Sequence, residues 1–187
     1  YHRTDSLNLS PVSLATAKEY IAKEFGKEYW PGFSRTFKTK SKLAQEAHEA
    51  IRPTDPQQTP SNLTPMQQKL YDLIWSRFLA SQMIQAAFDS TVVDITAQNY
   101  LFRATGQILQ FDGFLKVYPI KFEETELPLL EQSEILHLAS LNPLQHFTEP
   151  PPRYTEATLV KALEEHGIGR PSTYAPILST IQDRRYV

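Results

Sequence analysis

Tyr1, Arg3 and Asp5 put a phenol, a guanidinium and a carboxylate on alternate residues of the hexapeptide Tyr1-His2-Arg3-Thr4-Asp5-Ser6. A tyrosine hydroxyl can attack phosphorus and hold it as an ester. A guanidinium can clamp phosphate oxygens through two parallel hydrogen bonds. The chemistry on offer is phosphoryl transfer. Alone, the same residues read equally well as a packed tyrosine followed by turn and capping side chains. A second segment, Gln45-Glu46-Ala47-His48-Glu49-Ala50-Ile51-Arg52-Pro53-Thr54, offers an imidazole and another guanidinium. Its plain reading is a structural helical histidine between solvated carboxylates, with Arg52 near a helix C-terminus. A third, Gly167-Ile168-Gly169-Arg170-Pro171-Ser172-Thr173-Tyr174, is a two-glycine turn leading into hydroxyl and guanidinium donors. Donors at a helix N-terminus suit phosphates, and a tyrosine ring can stack on a base. The same turn also serves as a bare helix connection.

In this order and at this separation the three segments resemble the type IA DNA topoisomerases of bacteria, and the resemblance runs from Tyr1 to Val187. It implies that Tyr1 is the nucleophile, attacking a phosphodiester and retaining the 5′ phosphate. Arg3 then contacts the scissile phosphate, Asp5 orients Arg3, and His48 lies near the reacting centre against the DNA backbone. Arg52 contacts phosphate or holds the His48 segment in place. Arg170, Ser172, Thr173 and Tyr174 line a single-strand groove. The implied partners are single-stranded and negatively supercoiled DNA, acted on by a monomer. The implied cofactor is Mg2+, bound by an N-terminal domain that this chain lacks; the acidic stretch 121–132 has no regular metal-ligand spacing. The implied fold is multidomain and mainly α, a partial toroid. Residues 1–85 are a helical nucleophile domain, 86–153 a β-rich arch, and 154–187 the start of a helical, winged-helix-like DNA-binding domain. Three positions depart from the family pattern: His2, Pro176 and Arg185, the last standing where glycine is common. A rival reading, a non-enzymatic winged-helix regulator, accounts for residues 155–187 and leaves the Tyr1 and His48 segments unexplained.

The elements that must position these residues are legible in part. Ser10-Pro11 opens a helix over Val12–Phe25, closed by Gly26. A short helix is expected over Leu43–Ile51, ended by Pro53, and a proline-rich loop over 53–65. Thr64-Pro65 starts a long helix running to about Phe88, with Leu70, Leu73, Ile74 and Phe78 as its apolar stripe. Tyr71, Trp75 and Phe78 read as core aromatics. Thr91–Thr96 and Tyr100–Ala104 read as strands about a Gln98-Asn99 turn. Ile108–Phe111 and Leu115–Val117 read as strands about Asp112-Gly113, and Ile135–Leu141 as a further strand. Proline-rich residues 143–152 mark a stiff connection. Thr155 caps a helix carrying Leu159, Val160 and Leu163. After the Gly167/Gly169 turn, Ser172 or Thr173 caps a helix with Ile177, Leu178 and Ile181 on its apolar face, provided Pro176 lies in the first turn. Residues 182–187 then lead into a strand.

Composition sets outer bounds. The chain has 187 residues, and 41% are hydrophobic, enough for a packed core. It has no cysteine, which excludes disulfides, thiolate metal sites and cysteine nucleophiles. No signal-peptide pattern or membrane-length apolar run occurs, so a cytoplasmic location is expected. The net charge of -2 is unevenly spread. Residues 1–85 carry eleven Lys/Arg against eight Asp/Glu, residues 86–153 four against nine, and residues 154–187 four against four. The basic excess therefore lies with the candidate nucleophile, and the middle of the chain is a poor phosphate binder.

Overall fold

In the computed structural model, residues 6–37, 48–58 and 60–186 are described. Helix α1 spans Pro11–Glu24, as the Ser-Pro start and Gly26 stop predict. Ser10 Oγ accepts from the Ser13 N–H at 3.2 Å, and Gly26 takes φ 113°, a conformation open to glycine. Helix α2 spans Pro65–Gln82. Thr64 and Gln67 form a reciprocal capping box at its start, each satisfying the other's backbone N–H. The two helices bury Ala17, Ile21, Phe78, Leu79 and Met83 together with Val117 from further along the chain. Tyr20, Trp75 and Phe25 pack around that core through edge-on ring contacts.

Helix α2 departs from the sequence expectation in two ways. Its inward face is not the Leu70–Leu73 stripe, since those two side chains are 58% and 50% exposed. Phe78, the last residue of that stripe, is buried, and Tyr71, Trp75 and Phe78 turn inward as the core aromatics expected, joined by Leu79 and Gln82. Trp75 donates its indole N–H to Pro56 O at 3.0 Å and Tyr71 its hydroxyl to Gln58 O at 2.9 Å, which ties the proline-rich loop to the helix. Aromatic side chains with a polar tip cover a loop that leucines would leave unsatisfied. The helix also ends at Gln82, short of Phe88. Ile84 N–H donates to Tyr29 O at 2.8 Å and Ile84 O accepts from Phe114 N–H at 2.9 Å, so tertiary partners capture the backbone that a longer helix would use.

Strands β1 (Ala87–Ala97) and β2 (Tyr100–Phe111) form an antiparallel hairpin in the register Ala97↔Tyr100, with an irregularity at Ala87/Phe88. The Gln98-Asn99 turn stands where the sequence placed it, with Gln98 at φ 53°. Both strands are longer than predicted, because Ile108–Phe111 pairs back onto β1. The Asp112-Gly113 hairpin is therefore corrected: Gly113–Lys116 is a 3-10 turn and Leu115–Val117 is no strand. Gly113 takes φ 48°, and a Cβ there would lie 2.6 Å from the Gln85 backbone. The glycine allows the return of the chain to press against the end of α2.

The strand expected over Ile135–Leu141 does not form; residues 126–154 hold no helix or strand. The edge of β2 is taken at Gln107 by Thr125, through bonds of 2.9 and 3.1 Å, and no strand among the described residues lies beside 135–141. Helices α3 (Glu156–Glu165) and α4 (Tyr174–Asp183) close the chain. Thr155 and Thr158 form a capping box at the start of α3. At its end Ile168 N–H reaches Leu163 O at 2.8 Å and Gly167 N–H reaches Glu164 O at 3.0 Å, the paired bonds that a left-handed Gly167 permits. Pro176 falls in the first turn of α4, where its missing N–H is tolerated. Residues 182 and 183 remain helical and 184 and 185 form a turn, so among the described residues 182–186 the expected strand does not form.

Candidate functional site

The site is built where two segments far apart in sequence run side by side. Ser6 follows directly on the Tyr1–Asp5 motif, and Ser10 caps α1. Between them the chain meets the His48 segment. Ser6 Oγ donates to His48 O, and the Ala50 N–H donates to Asn8 O at 2.7 Å. These bonds take the backbone groups that a helix would need, so His48–Ile51 is non-helical; the rest of the helix expected over Leu43–Ile51 lies outside the described residues. Tyr1, Arg3 and Asp5 also lie outside them. The half-buried His48 is thus anchored, by its own carbonyl, to Ser6, the residue that follows the Tyr1–Asp5 segment.

Glu49 completes the junction, and sequence reasoning passed it over as a solvated helix charge. Its Oε1 accepts from Ser10 N–H at 2.8 Å, from Ser13 Oγ at 3.3 Å and from Arg52 Nε at 2.7 Å. Its Oε2 accepts from a terminal Arg52 nitrogen at 3.1 Å. A fork-on-fork pair of this kind combines charge with fixed geometry. The Arg52 guanidinium, followed by the hydrogen bond from Ser10, pulls the Glu49 carboxyl down to about 2 from its ordinary 4.5. The carboxylate also sits at the positive end of α1. Arg52 spends its remaining donors on Pro53 O at 3.0 Å and Thr54 O at 3.4 Å. Its side chain is 22% exposed, and it holds the segment together from within. The one sequence signal for Glu49 was its spacing of three from Arg52, which many surface pairs share.

The candidate residues near the C-terminus are gathered by a different device. Thr173 Oγ1 accepts from Arg170 N–H at 2.8 Å and donates to Arg170 O at 3.1 Å. The hydroxyl expected to cap α4 is therefore spent on the preceding turn, and Thr173 makes no side-chain cap bond into the helix. Tyr174 N–H donates to Arg170 O at 3.2 Å, and an Arg170 terminal nitrogen donates to Gly169 O at 2.6 Å. Gly169, at φ 80°, lets the half-buried Tyr174 ring and Ile177 come close; a Cβ there would meet both at 3.1 Å. Ser172 is exposed beside Arg170.

Among the described residues no three histidine or acidic side chains come together as a metal site, so these residues do not fit the implied magnesium. Among them, too, no helix is long and apolar enough to cross a membrane.

The family described as DNA topoisomerase matches residues 1–187. DNA topoisomerase 1 of Pseudomonas aeruginosa is 50% identical over 193 residues, covering 100% of this chain and 22% of that protein. DNA topoisomerase 1 of Haemophilus influenzae is 51% identical over 193 residues, with the same coverage of 100% and 22%. The structure of full-length topoisomerase I from Thermotoga maritima superposes with a TM-score of 0.78 at 36% identity, covering 98% of this chain and 30% of that one. The chain spans less than a third of the length of each of these proteins.

Proposed function

The chain belongs to the DNA topoisomerase family, and from that premise we propose that it is the central part of a type IA enzyme. Such an enzyme cuts one DNA strand, passes another through the break and reseals it. In this reading Tyr1 attacks a phosphodiester of single-stranded DNA. The tyrosine oxygen bonds to phosphorus, the bond from phosphorus to the 3′ oxygen breaks, and the phenolic proton ends on that 3′ oxygen. The 5′ phosphate stays on Tyr1 as an ester. Resealing is the reverse exchange, which conserves the ester and needs no ATP, so negatively supercoiled DNA relaxes on its own strain. A tyrosine with pKa near 10 needs a neighbouring cation or proton acceptor to attack at neutral pH. Arg3 is assigned to the scissile phosphate and to the charge that grows on it, with Asp5 orienting the guanidinium. His48 supports the reaction against the DNA backbone, and Arg52 holds the His48 segment. Arg170, Ser172, Thr173 and Tyr174 are assigned to the bound single strand.

The observation that carries this reading is the junction of Ser6–Ser10 with His48–Arg52, which joins two motifs across about forty residues of chain. On the same reading residues 1–85 are a helical nucleophile domain, 86–153 part of an arch, and 154–187 the start of a DNA-binding domain. Magnesium is held by another part of a longer, monomeric polypeptide in the bacterial cytoplasm. The 187 residues alone are expected neither to cleave nor to relax DNA; magnesium-dependent relaxation by them would overturn that division of labour. The central test is covalent capture. A full-length polypeptide carrying this sequence is incubated with end-labelled single-stranded oligonucleotides and magnesium, then denatured, with Tyr1→Phe alongside. An adduct through the 5′ phosphate of the downstream fragment, formed by the wild type alone, supports the proposal. An adduct that survives Tyr1→Phe removes Tyr1 from its role.

A further inference from the structure

Glu49 has more partners than an ion pair requires. One carboxylate oxygen serves the backbone of the residue that caps α1, the Ser13 hydroxyl one turn into the helix, and Arg52. Ser13 is itself buried, and its hydroxyl also donates to Ser10 O at 2.8 Å. On either side of Glu49, His48 and Ala50 are bonded to Ser6 and Asn8. Three parts of the molecule therefore meet here: the His48 segment, the Ser6–Asn8 stretch through His48 and Ala50, and the N-terminus of α1 through the Glu49 carboxylate. A salt bridge alone would satisfy charge and leave α1 free of the segment. Here the Ser10 N–H, unpaired within the helix, is satisfied by the segment itself. The negative charge is also placed where the helix favours it.

We propose that Glu49 is a positioning residue for strand cleavage: it locks the His48 segment to the N-terminus of α1 and so fixes His48 relative to the backbone that carries Tyr1. The inference rests on the type IA reading of the site. Glu49 touches neither DNA nor the reacting atoms; it acts through the geometry of the junction. Its loss is therefore expected in the chemical step and not in DNA affinity, because misplacing a catalytic group lowers rate while the phosphate contacts remain.

The test uses the full-length polypeptide with wild type, Tyr1→Phe, Glu49→Gln, Ser13→Ala and the exchanged pair Glu49→Arg/Arg52→Glu. Single-turnover adduct formation is measured beside equilibrium binding of the same oligonucleotide. Glu49→Gln is expected to slow adduct formation by about 10- to 100-fold, the scale of a small misplacement in an active site, with oligonucleotide Kd within about twofold. The exchanged pair restores an ion pair but offers no acceptor to Ser10, and is expected to stay as slow as Glu49→Gln. Ser13→Ala, which leaves the ion pair whole, is expected to slow the step several-fold in the same sense, and it decides the matter if Glu49→Gln does not fold. Wild-type rates in Glu49→Gln overturn the inference, and full rescue by the exchanged pair overturns it and reduces Glu49 to an ordinary ion pair. An adduct in Tyr1→Phe overturns the underlying reading instead, so the two failures are separately visible.

Discussion

Glu49 makes its electrostatics measurable by acid. Its carboxyl is held near 2 in the folded chain, below the ordinary 4.5, by Arg52 and Ser10. A folded pKa below the unfolded one means that the stabilisation is fully present above the ordinary value. It fades as the pH falls from there toward 2. With the side chain 37% exposed, solvent screening holds the contribution to about 1 kcal/mol. Unfolding followed from pH 6 down should show wild type and Glu49→Gln converging as the acid is titrated. A constant gap down to pH 2 would place the effect in packing. Gln82 is another residue whose polar groups hold distant backbone in place. It is fully buried, and its side-chain amide pairs with the Arg35 backbone on both sides, accepting from Arg35 N–H at 3.0 Å and donating to Arg35 O at 3.1 Å. Gln82→Leu keeps the volume and strands both backbone groups, so it should cost about 2–4 kcal/mol by chemical denaturation. A change below about 0.5 kcal/mol would mean that the Arg35 segment rehydrates freely.

At the scale of elements, the ends of α3 and α4 form a natural comparison. Both close with the same paired bonds: at α4, Tyr186 N–H reaches Ile181 O at 3.0 Å and Arg185 N–H reaches Gln182 O at 2.9 Å. The left-handed position is Gly167 in the first helix and Arg185, at φ 56°, in the second. A glycine would be at ease at Arg185, because an L side chain in this conformation crowds the following carbonyl. Arg185→Gly should therefore stabilise α4 by about 1 kcal/mol, read as greater amide-exchange protection at Tyr186 and Arg185. Unchanged protection would show that the end of α4 frays irrespective of its cap. The helix starts and stops were legible because caps act within four residues: Ser10-Pro11, Thr64-Pro65 and Thr155 each solve a local shortage of hydrogen-bond partners. The end of α2 was not legible, because Ile84 is claimed by Tyr29 and Phe114 from elsewhere in the chain.

At the scale of the whole molecule, the hairpin is joined to the helical core through its base. Tyr29 donates its hydroxyl to Asp112 Oδ1 at 2.7 Å and lays its ring 4.9 Å from that of Phe111, while Val117 enters the core. The bond to Asp112 raises the Tyr29 pKa, since ionising the phenol would set two anions against each other. Tyr29→Phe removes this tie and keeps the ring. It should lower amide-exchange protection at Ile84 and Phe114, with α1 unaffected, for a loss of about 1 kcal/mol. Uniform loss across α1 and the hairpin would mean that the two unfold as one unit. A two-stranded sheet has little stability of its own, so the attachment at this base governs how firmly the hairpin stands on the helices.

The amino-acid sequence by itself determined the family, through the joint occurrence of its three motif segments, and the helices whose signals lie within a turn of their ends. It also determined the Gln98-Asn99 hairpin, because a two-residue turn between strands of alternating pattern is local. Only the tertiary structure decided what Glu49 does, why Asp112-Gly113 is a close approach and not a hairpin, and that Leu70 and Leu73 of α2 face outward while its aromatics hold the proline-rich loop. It also showed that 135–141 stays unpaired. Each of these depends on a partner far away in the chain: Ser10 for Glu49, Gln85 for Gly113, Pro56 and Gln58 for the aromatic face of α2. Propensity and spacing carry no record of such partners, since a carboxylate at a helix N-terminus and one in solvent are the same residue until the chain folds.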